Sequence, residues 1–595
     1  LNFPYHFINI IMKCVRTSTY SVMVNGRLEG FFPGKKGLRQ GDPMSPLLFV
    51  MAMEYLSRSL SCIPQNQFIY HKGCNRLKLN HLMFADDLLL FSNGDVKSVG
   101  FFKQALDDFS MVSGLHLNAG KSFIFFGNVP QPTKETILQV TKFQQGALPI
   151  KYLGIPLISG ALKRVHCQEL INRISARISS WTVKYLSYAG RLQLIKSVIM
   201  SMHVYWSSMF ILPKSVTKEI ESKCRNFLWH GSNQQGKKGS VGWNEVCKGK
   251  NEGGLGIKSI SLWNSAAITK HIWELVAVKA SLWAKWVIDN KLRRLSFWGI
   301  TKPMDGSWTW RKMLGLRSQI KQLFSYELGN GKSFQFWWDP WLGGESIVNK
   351  FPHIQISDAD IPRGAKVNEL WQHGHWNLPD PLDEYTSQVW DYLRKNVSIS
   401  EREDRISFTA SSNAKFSVAS TWRCLKNNEA KVGWCKLIWG TQHIPRHSFV
   451  TWLALKNRLS TRERLKKWGV IPSDDCPLCG NDKETITHLF FQCNFCSEIW
   501  HKVLRACQLN QCPNRWQRVI SFMCRKSKGK STLSKIRRVS FCATIYFIWR
   551  ERNLKVFQQK TPSTSEVYQK IKDVTWLKCI STVNGQGIDH FAAGW

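Results

Sequence analysis

Four residues near position 480 have the types and spacing of a metal site. Cys476 and Cys479 form a CxxC pair, His488 follows after eight intervening residues, and Cys493 after four more. Two such pairs can close a tetrahedral zinc site, because thiolates and neutral imidazoles are the donors zinc prefers. Cys496 makes a second CxxC with Cys493, so on spacing alone it is an alternative to His488 as fourth ligand. Far upstream, Asp86 and Asp87 interrupt the apolar run "LMFADDLLLF". An unpaired buried carboxylate costs on the order of several kcal/mol, so this pair calls for a cation, an arginine or an exposed turn. Adjacent hard oxygen donors suit Mg²⁺, whose charge offsets their mutual repulsion. Two other acidic pairs read differently. Asp107 and Asp108 fall on the polar side of a helix and Asp474 and Asp475 in a turn after Pro472, and both read as solvated.

The elements around the first pair suggest how it is held. "KLNHLMFA" and "LLLFSNG" read as two strands joined tightly at Asp86 and Asp87, which puts both carboxylates at a hairpin tip. Asn25-Gly26 inside "TSTYSVMVNGRLEGFFP" signals another hairpin. "GLRQGDPMSP" (37–46) reads as a loop that ends with Ser45 at an N-cap and Pro46 at the first helical position. The helix that follows is apolar on nearly every side and reads as core. "VGFFKQALDDFSMVSG" (99–114) reads as an amphipathic helix ending at Gly114, and a strand pair is expected across "GLHLNAGKSFIFFG" and "LPIKYLGIPL". Further on, Val216, Ile220, Cys224, Phe227 and Leu228 fall at helical spacing.

Composition bounds the partners. The 595 residues are 43% hydrophobic and 21% charged, enough for about three or four folded domains. Lys and Arg number 82 against 41 acids, a formal net charge of +41, which points to a polyanionic partner, nucleic acid first and an anionic membrane surface second. Membrane insertion is not expected: the longest apolar stretch, 197–213, is 17 residues long and contains His203 and several serines, so it reads as a buried helix. Residues 525, 526, 528, 530, 535, 537, 538, 550, 552, 555 and 560 are Lys or Arg, with Glu551 the one acid among them. Such a cluster suits sequence-tolerant phosphate contacts. Seventeen scattered cysteines and no secretion signal suggest reduced thiols in nucleus or cytoplasm. The first residues lack an initiator Met and read as those of a fragment.

Four motifs, "RQGDPMSPLLF", "FADDLLLF", "LNAGKS" and "LPIKYLGIPL", in this order and spacing, resemble the palm of reverse transcriptases from LINE-type non-LTR retrotransposons, especially those of plants. The resemblance implies that Asp86 and Asp87 bind catalytic Mg²⁺, with Asp86 the more direct ligand. It further implies that Gln40, Gly41 and Pro43 position template and nucleotide, that Lys121 lies near the triphosphate, and that Tyr152, Leu153 and Gly154 grip the primer end. The chemistry implied is two-metal nucleotidyl transfer on an RNA template and a DNA primer or target. "CPLCGNDKETITHLFFQC", with "FSVASTWRCL" and "RHSFVTWLALKNRLSTRERLKKWG" before it, resembles the zinc-binding domain downstream of the polymerase in plant elements. That resemblance favours His488 over Cys496.

The family's polymerase uses a further aspartate ahead of the Gln-Gly-Asp-Pro loop. Before Asp86 the only acids here are Glu29, Asp42 and Glu54, none in a suitable strand, so the chain is expected to be inactive alone. After residue 560 only Glu566, Asp573 and Asp589 could serve an RNase H carboxylate cluster, so that domain is not expected. The alternative function is a non-catalytic, zinc-stabilised nucleic-acid-binding remnant. The fold expected is α+β: a partial palm over 1–160, with a sheet covered by helices on one face, then a helical thumb and Trp-rich connection over 161–350. A linker or irregular region over 351–415, a small helical zinc-binding domain over 416–500 and a basic helical tail over 501–595 complete it.

Overall fold

The computed structural model describes residues 2–35, 37–181, 186–231, 239–301, 303, 306–426, 429–561 and 563–581. The chain divides into two compact units, one of residues 1–159, 273–301 and 326–405, the other of 160–272, 302–325 and 406–595. Asp589 and the end of the expected basic tail lie outside the described residues.

The first unit begins with α1 (Tyr5–Arg16) and a hairpin of β1 (Thr19–Val24) and β2 (Arg27–Pro33). Asn25 and Gly26 both take positive φ, 50° and 81°, the left-handed pair that a tight hairpin turn requires. Next come α2 (Ser45–Ser61), the hairpin β3 (His81–Phe84) and β4 (Asp87–Leu90), and α3 (Val96–Ser113). Asp95 caps α3 by accepting from the Ser98 N–H at 2.8 Å, and Gly114 ends it at φ 68°. Leu56 and Leu60 of α2 and Phe102, Ala105, Leu106 and Phe109 of α3 form a core, against which Met83, Leu88 and Leu90 pack. Full burial of each of the leucines and phenylalanines in this core stabilises by roughly 1.5–3 kcal/mol. Strand pairing with helices on one face is the α+β arrangement expected, although every sheet among the described residues is two-stranded.

Several local expectations need correction. Ser45 is already the first helical residue, with Met44 at the cap position. The Ser45 hydroxyl instead donates to the Arg39 carbonyl at 2.7 Å, and Asp42 Oδ1 accepts from the Met44 N–H at 2.8 Å. The loop satisfies itself, leaving no cap for the serine to make. Only Leu56 and Leu60 of α2 are buried, while Leu47 and Val50 are exposed, because the core formed with α3 reaches only the C-terminal half of the helix. "LPIKYLGIPL" does not pair with the segment before it. It folds back on itself as β7 (Ile150–Tyr152) and β8 (Ile155–Leu157), while β5 (Phe123–Ile124) pairs in parallel with β6 (Gln144–Gln145). Leu153 and Gly154, at φ 48° and 79°, make the turn that closes β7 onto β8. α4 (Gln131–Thr141) lies between β5 and β6. The 351–415 segment is largely irregular but does not behave as a linker. Its helix Glu384–Asn396 buries Val389, Trp390 and Leu393, and the Trp390 ring lies 6.1 Å from Phe336 and 6.2 Å from Trp337. Residues 273–301 and 326–350, expected with the helical region, likewise belong to the first unit.

The second unit is helical. It contains α5 (Gln168–Ser179), α6 (Tyr188–Leu194), α7 (Lys214–His230), α8 (Pro445–Leu455), α9 (Asn494–Ala506), α10 (Trp516–Lys526), α11 (Thr532–Gln558) and α12 (Thr564–Ile580). Val216, Ile220, Cys224, Phe227 and Leu228 are all buried along α7, as their spacing predicts. The apolar 197–213 stretch is buried in part but is not one helix. It breaks at His203, which is buried with Nδ1 3.0 Å from Ser207 Oγ, and Asn264 Nδ2 donates to the carbonyls of Ser207 and Phe210 at 2.7 and 2.6 Å. Among the described residues no helix is long and apolar enough to cross a membrane.

Candidate functional site

Residues 474–493 form a short ribbon followed by a tight turn that leads into α9. The Cys476 N–H donates to the Asp482 carbonyl at 2.7 Å, and the Gly480 N–H to the Cys476 carbonyl at 2.8 Å. Positive φ at Gly480 (76°) turns the chain so that Cys476 and Cys479 face one point. His488 begins a wide helical turn, His488–Gln492, closed by the Cys493 N–H donating to the His488 carbonyl at 2.7 Å. The donor atoms of Cys476, Cys479, His488 and Cys493 all lie within 4.8 Å of one another. His488 Nε2 is 3.3 Å from Cys479 Sγ. Tetrahedral zinc with Zn–S bonds of about 2.3 Å needs sulfurs about 3.8 Å apart, so this donor set fits zinc in both chemistry and spacing. Asp482 Oδ2 lies 3.7 Å from His488 Nδ1, the place of a carboxylate that orients a ligating imidazole. Cys496 is buried on α9 and stays outside the gathered set. Burial lowers the His488 pKa, keeping the ring in the neutral form a metal takes.

One anchoring contact had no place in the sequence reading. Glu484 is buried at the end of the ribbon, where its carboxylate accepts from the Arg462 N–H at 2.7 Å and from Arg552 Nε and Nη2, both at 2.6 Å. Arg552 is equally buried, on α11. The sequence did carry a signal: Phe541, Ile545, Ile548 and Arg552 recur at helical spacing, so Arg552 falls on the apolar stripe. Two more of the eleven basic residues are also structural. Arg537 donates to the carbonyls of Cys507 (3.1 Å) and Lys526 (2.7 Å), and Arg538 to those of Ser527 (2.9 Å) and Gly529 (3.0 Å), at the C-terminal ends of α9 and α10. Arg525, Lys526, Lys528, Lys530, Arg550 and Lys560 remain exposed.

In the first unit, the β3–β4 register pairs Phe84 with Asp87, so Ala85 and Asp86 form the two-residue turn, with Ala85 at φ 51°. Met83 and Leu88 face the helices, and the alternation places Asp87 on the opposite face with Phe84. Ser57 Oγ lies 2.8 Å from His81 Nε2, and Asn80 Nδ2 donates to the Leu60 carbonyl at 2.7 Å, tying the hairpin's base to α2. Asp86 and Asp87 are therefore exposed at a tip held from below. Gln40, Gly41 and Pro43 are exposed in the loop before α2, with Gly41 at φ 93°. Lys121 is exposed in a short turn where Asn118 Oδ1 accepts from its N–H at 3.2 Å. Tyr152, Leu153 and Gly154 sit at the β7–β8 turn. Among the described residues no side-chain hydrogen bond or ion pair joins Asp86 or Asp87 to Lys121, and no third His, Cys, Asp or Glu gathers with the two carboxylates. Two carboxylates alone can anchor Mg²⁺ only with water and substrate phosphates completing its shell.

Comparison with known proteins agrees with both regions. Residues 2–157 match the family model for reverse transcriptase (RNA-dependent DNA polymerase), and residues 416–500 match that for zinc-binding in reverse transcriptase. One chain thus carries both a reverse-transcriptase match and a match to the zinc-binding region of reverse transcriptases. Among its relatives is an Arabidopsis thaliana protein named "Putative ribonuclease H protein", 29% identical over 365 residues, 59% of this chain and 58% of that protein. Another is the retrovirus-related Pol polyprotein from the type-2 retrotransposable element R2DM of Drosophila melanogaster, 31% identical over 206 residues, 33% of this chain and 18% of the polyprotein. An uncharacterized mitochondrial protein of Arabidopsis thaliana is 24% identical over 148 residues, 25% of this chain and 96% of that protein. The chain thus spans little more than half of the first relative's length.

Proposed function

We propose that this chain works on nucleic acid as part of the RNA-directed DNA polymerase of a non-LTR retrotransposon, taking an RNA template and a DNA primer or target. The observation that carries the reading is the β3–β4 hairpin, which presents Asp86 and Asp87 at an anchored, solvent-facing tip inside the reverse-transcriptase match. In that role Asp86 and Asp87 hold Mg²⁺, which supplies charge stabilisation for nucleotidyl transfer. Lys121 bears on the nucleotide phosphates, the loop of Gln40, Gly41 and Pro43 seats template and nucleotide, and the Tyr152–Gly154 turn supports the primer end. Cys476, Cys479, His488 and Cys493 hold zinc, which fixes the ribbon that Glu484 ties to α11. Seventeen cysteines, four of the cysteine and histidine side chains gathered as zinc donors, suit a compartment that keeps thiols reduced, nucleus or cytoplasm.

A second reading has its own support. No third carboxylate gathers with Asp86 and Asp87 among the described residues, which favours a chain that binds nucleic acid without polymerising. Under either reading this polypeptide is catalytically incompetent alone. The test is equilibrium binding of an RNA template annealed to a DNA primer. Salt-dependent binding at 0.1 M salt is expected, and no binding under those conditions would overturn both readings.

A further inference from the structure

A cleft of about 440 Å³ in the second unit is lined by Lys196, Lys250, His443 and Arg446, with Trp439 and Phe449 among its walls. That volume lies in the range of small-ligand sites. No carboxylate lines it. Among the described residues Lys196, Lys250 and Arg446 make no ion pair. The Lys196 ammonium donates to the Leu255 carbonyl, Lys250 Nζ stands 4.6 Å over the Trp439 ring, and the Arg446 guanidinium 5.3 Å over Tyr546. These cations come from widely separated stretches of chain, and the fold makes room for them deliberately. At Gly254 a Cβ would lie 2.2 Å from the Lys248 carbonyl oxygen and 2.6 Å from that of Glu245. Only glycine permits the turn that brings the Leu255 carbonyl to Lys196, which gives a role to the "EGGLGIKSISLWN" segment.

The electrostatics agree with the geometry. Burial and the neighbouring Lys250 pull the Lys196 pKa down to about 8. Burial also lowers that of His443, and Lys250, Lys578 and Lys196 each push it further in the same direction against the hydrogen bond to the Gly440 carbonyl. Clustered like charges destabilise one another until an anion enters. The aromatic faces, by contrast, are already engaged: Trp439 lies beneath Lys250, and Phe449 is stacked on Tyr188 at 5.4 Å and lies 6.1 Å from Trp229. That leaves charge as the means of recognition and no free ring for a base.

We propose that this cleft seats the phosphodiester backbone of a nucleic-acid strand through Lys196, Lys250 and Arg446, reading charge and not base identity. The inference rests on the reading that the chain works on nucleic acid, and it locates one contact surface in the unit that holds the zinc ribbon.

The test uses the full zinc-loaded chain and a fluorescent 20-nucleotide RNA, with Lys250→Gln and Arg446→Gln made singly and together. Each lost phosphate contact should flatten the slope of log affinity against log salt by about 0.7. The double variant should therefore bind about 20-fold more weakly at 0.1 M salt. Unchanged slopes in variants that keep their zinc and circular dichroism would overturn the proposal while leaving the proposed function standing. Failure of the unsubstituted chain to bind RNA would instead overturn the nucleic-acid reading on which the proposal depends. Calorimetric binding of pyrophosphate that is lost in Lys250→Gln, with no RNA binding, would make the cleft a small-phosphate site and overturn the phosphodiester assignment. Arg446 is exposed, so Arg446→Gln keeps the test open should Lys250→Gln fail to fold.

Discussion

Replacing Arg552 with methionine should loosen the zinc ribbon, whose Glu484 the arginine holds from 68 residues further along the chain. The Glu484 carboxylate is completely buried, and the Arg552 side chain is only 3% exposed. Of the three hydrogen bonds the carboxylate accepts, two come from the guanidinium, so Arg552→Met leaves a buried charge held by the Arg462 N–H alone. Stranding one partner of a buried pair costs about 3–5 kcal/mol, or about 10²- to 10⁴-fold in a local opening equilibrium. Hydrogen–deuterium exchange of residues 474–484 in the zinc-loaded chain reads that opening directly. The paired change Glu484→Leu with Arg552→Met removes both charges and should restore most of the lost protection, because an apolar pair of similar volume carries no desolvation cost. Protection within threefold of the unsubstituted chain in Arg552→Met would refute the reasoning. So would a double variant that opens as readily as the single one.

Other outcomes follow from the same structure. Cys496→Ala should retain one zinc per chain and His488→Ala should lose it in a metal-content assay, and the opposite pattern would move the fourth ligand to Cys496. His203 and His447 are buried neutral, with pKa values lowered to about 4 and about 3, against about 6.5 in an unfolded chain. Their lowered values mean that the unfolded state binds more protons, so their stabilisation is full above about pH 6.5 and is lost as pH falls toward 4, by about 3 kcal/mol each. Denaturant midpoints measured across that window should fall with acidification and fall less in His447→Phe, whose ring can keep the stacking on Tyr546 at 4.2 Å. Leu60→Ala, in the core beneath the aspartate hairpin, should cost about 2–5 kcal/mol in the first unit. Zinc content should be unaffected, and a parallel loss of zinc would contradict that separation.

What the sequence made legible was local. The β3–β4 hairpin follows from two apolar strands flanking a turn, α7 from its helical spacing, and the zinc set from four donors within 18 residues, because in each case the interacting residues are close in the chain. The misread features depended on distant partners. The apolar surface of α2 reads as core from end to end, yet it meets α3 over only half its length. The 351–415 segment reads as a linker or irregular region because it is rich in Pro and Asp; it is largely irregular, yet its Trp390 packs against Phe336 and Trp337 more than fifty residues earlier. "LPIKYLGIPL" is a local exception: the resemblance implies the turn at Leu153 and Gly154, and it is the pairing with the preceding segment that differs, because the stretch folds back on itself. Arg552 reads as one more surface cation until Glu484 is placed beside it, 68 residues away.

Primer extension tests the central claim most directly. The purified chain is given an RNA template, an annealed DNA primer, all four deoxynucleoside triphosphates and Mg²⁺, beside Asp86→Ala as control. The account predicts that primer and template are bound but not extended by either protein, because among the described residues no third carboxylate gathers with Asp86 and Asp87. Extension by the unsubstituted chain that disappears in Asp86→Ala would contradict it.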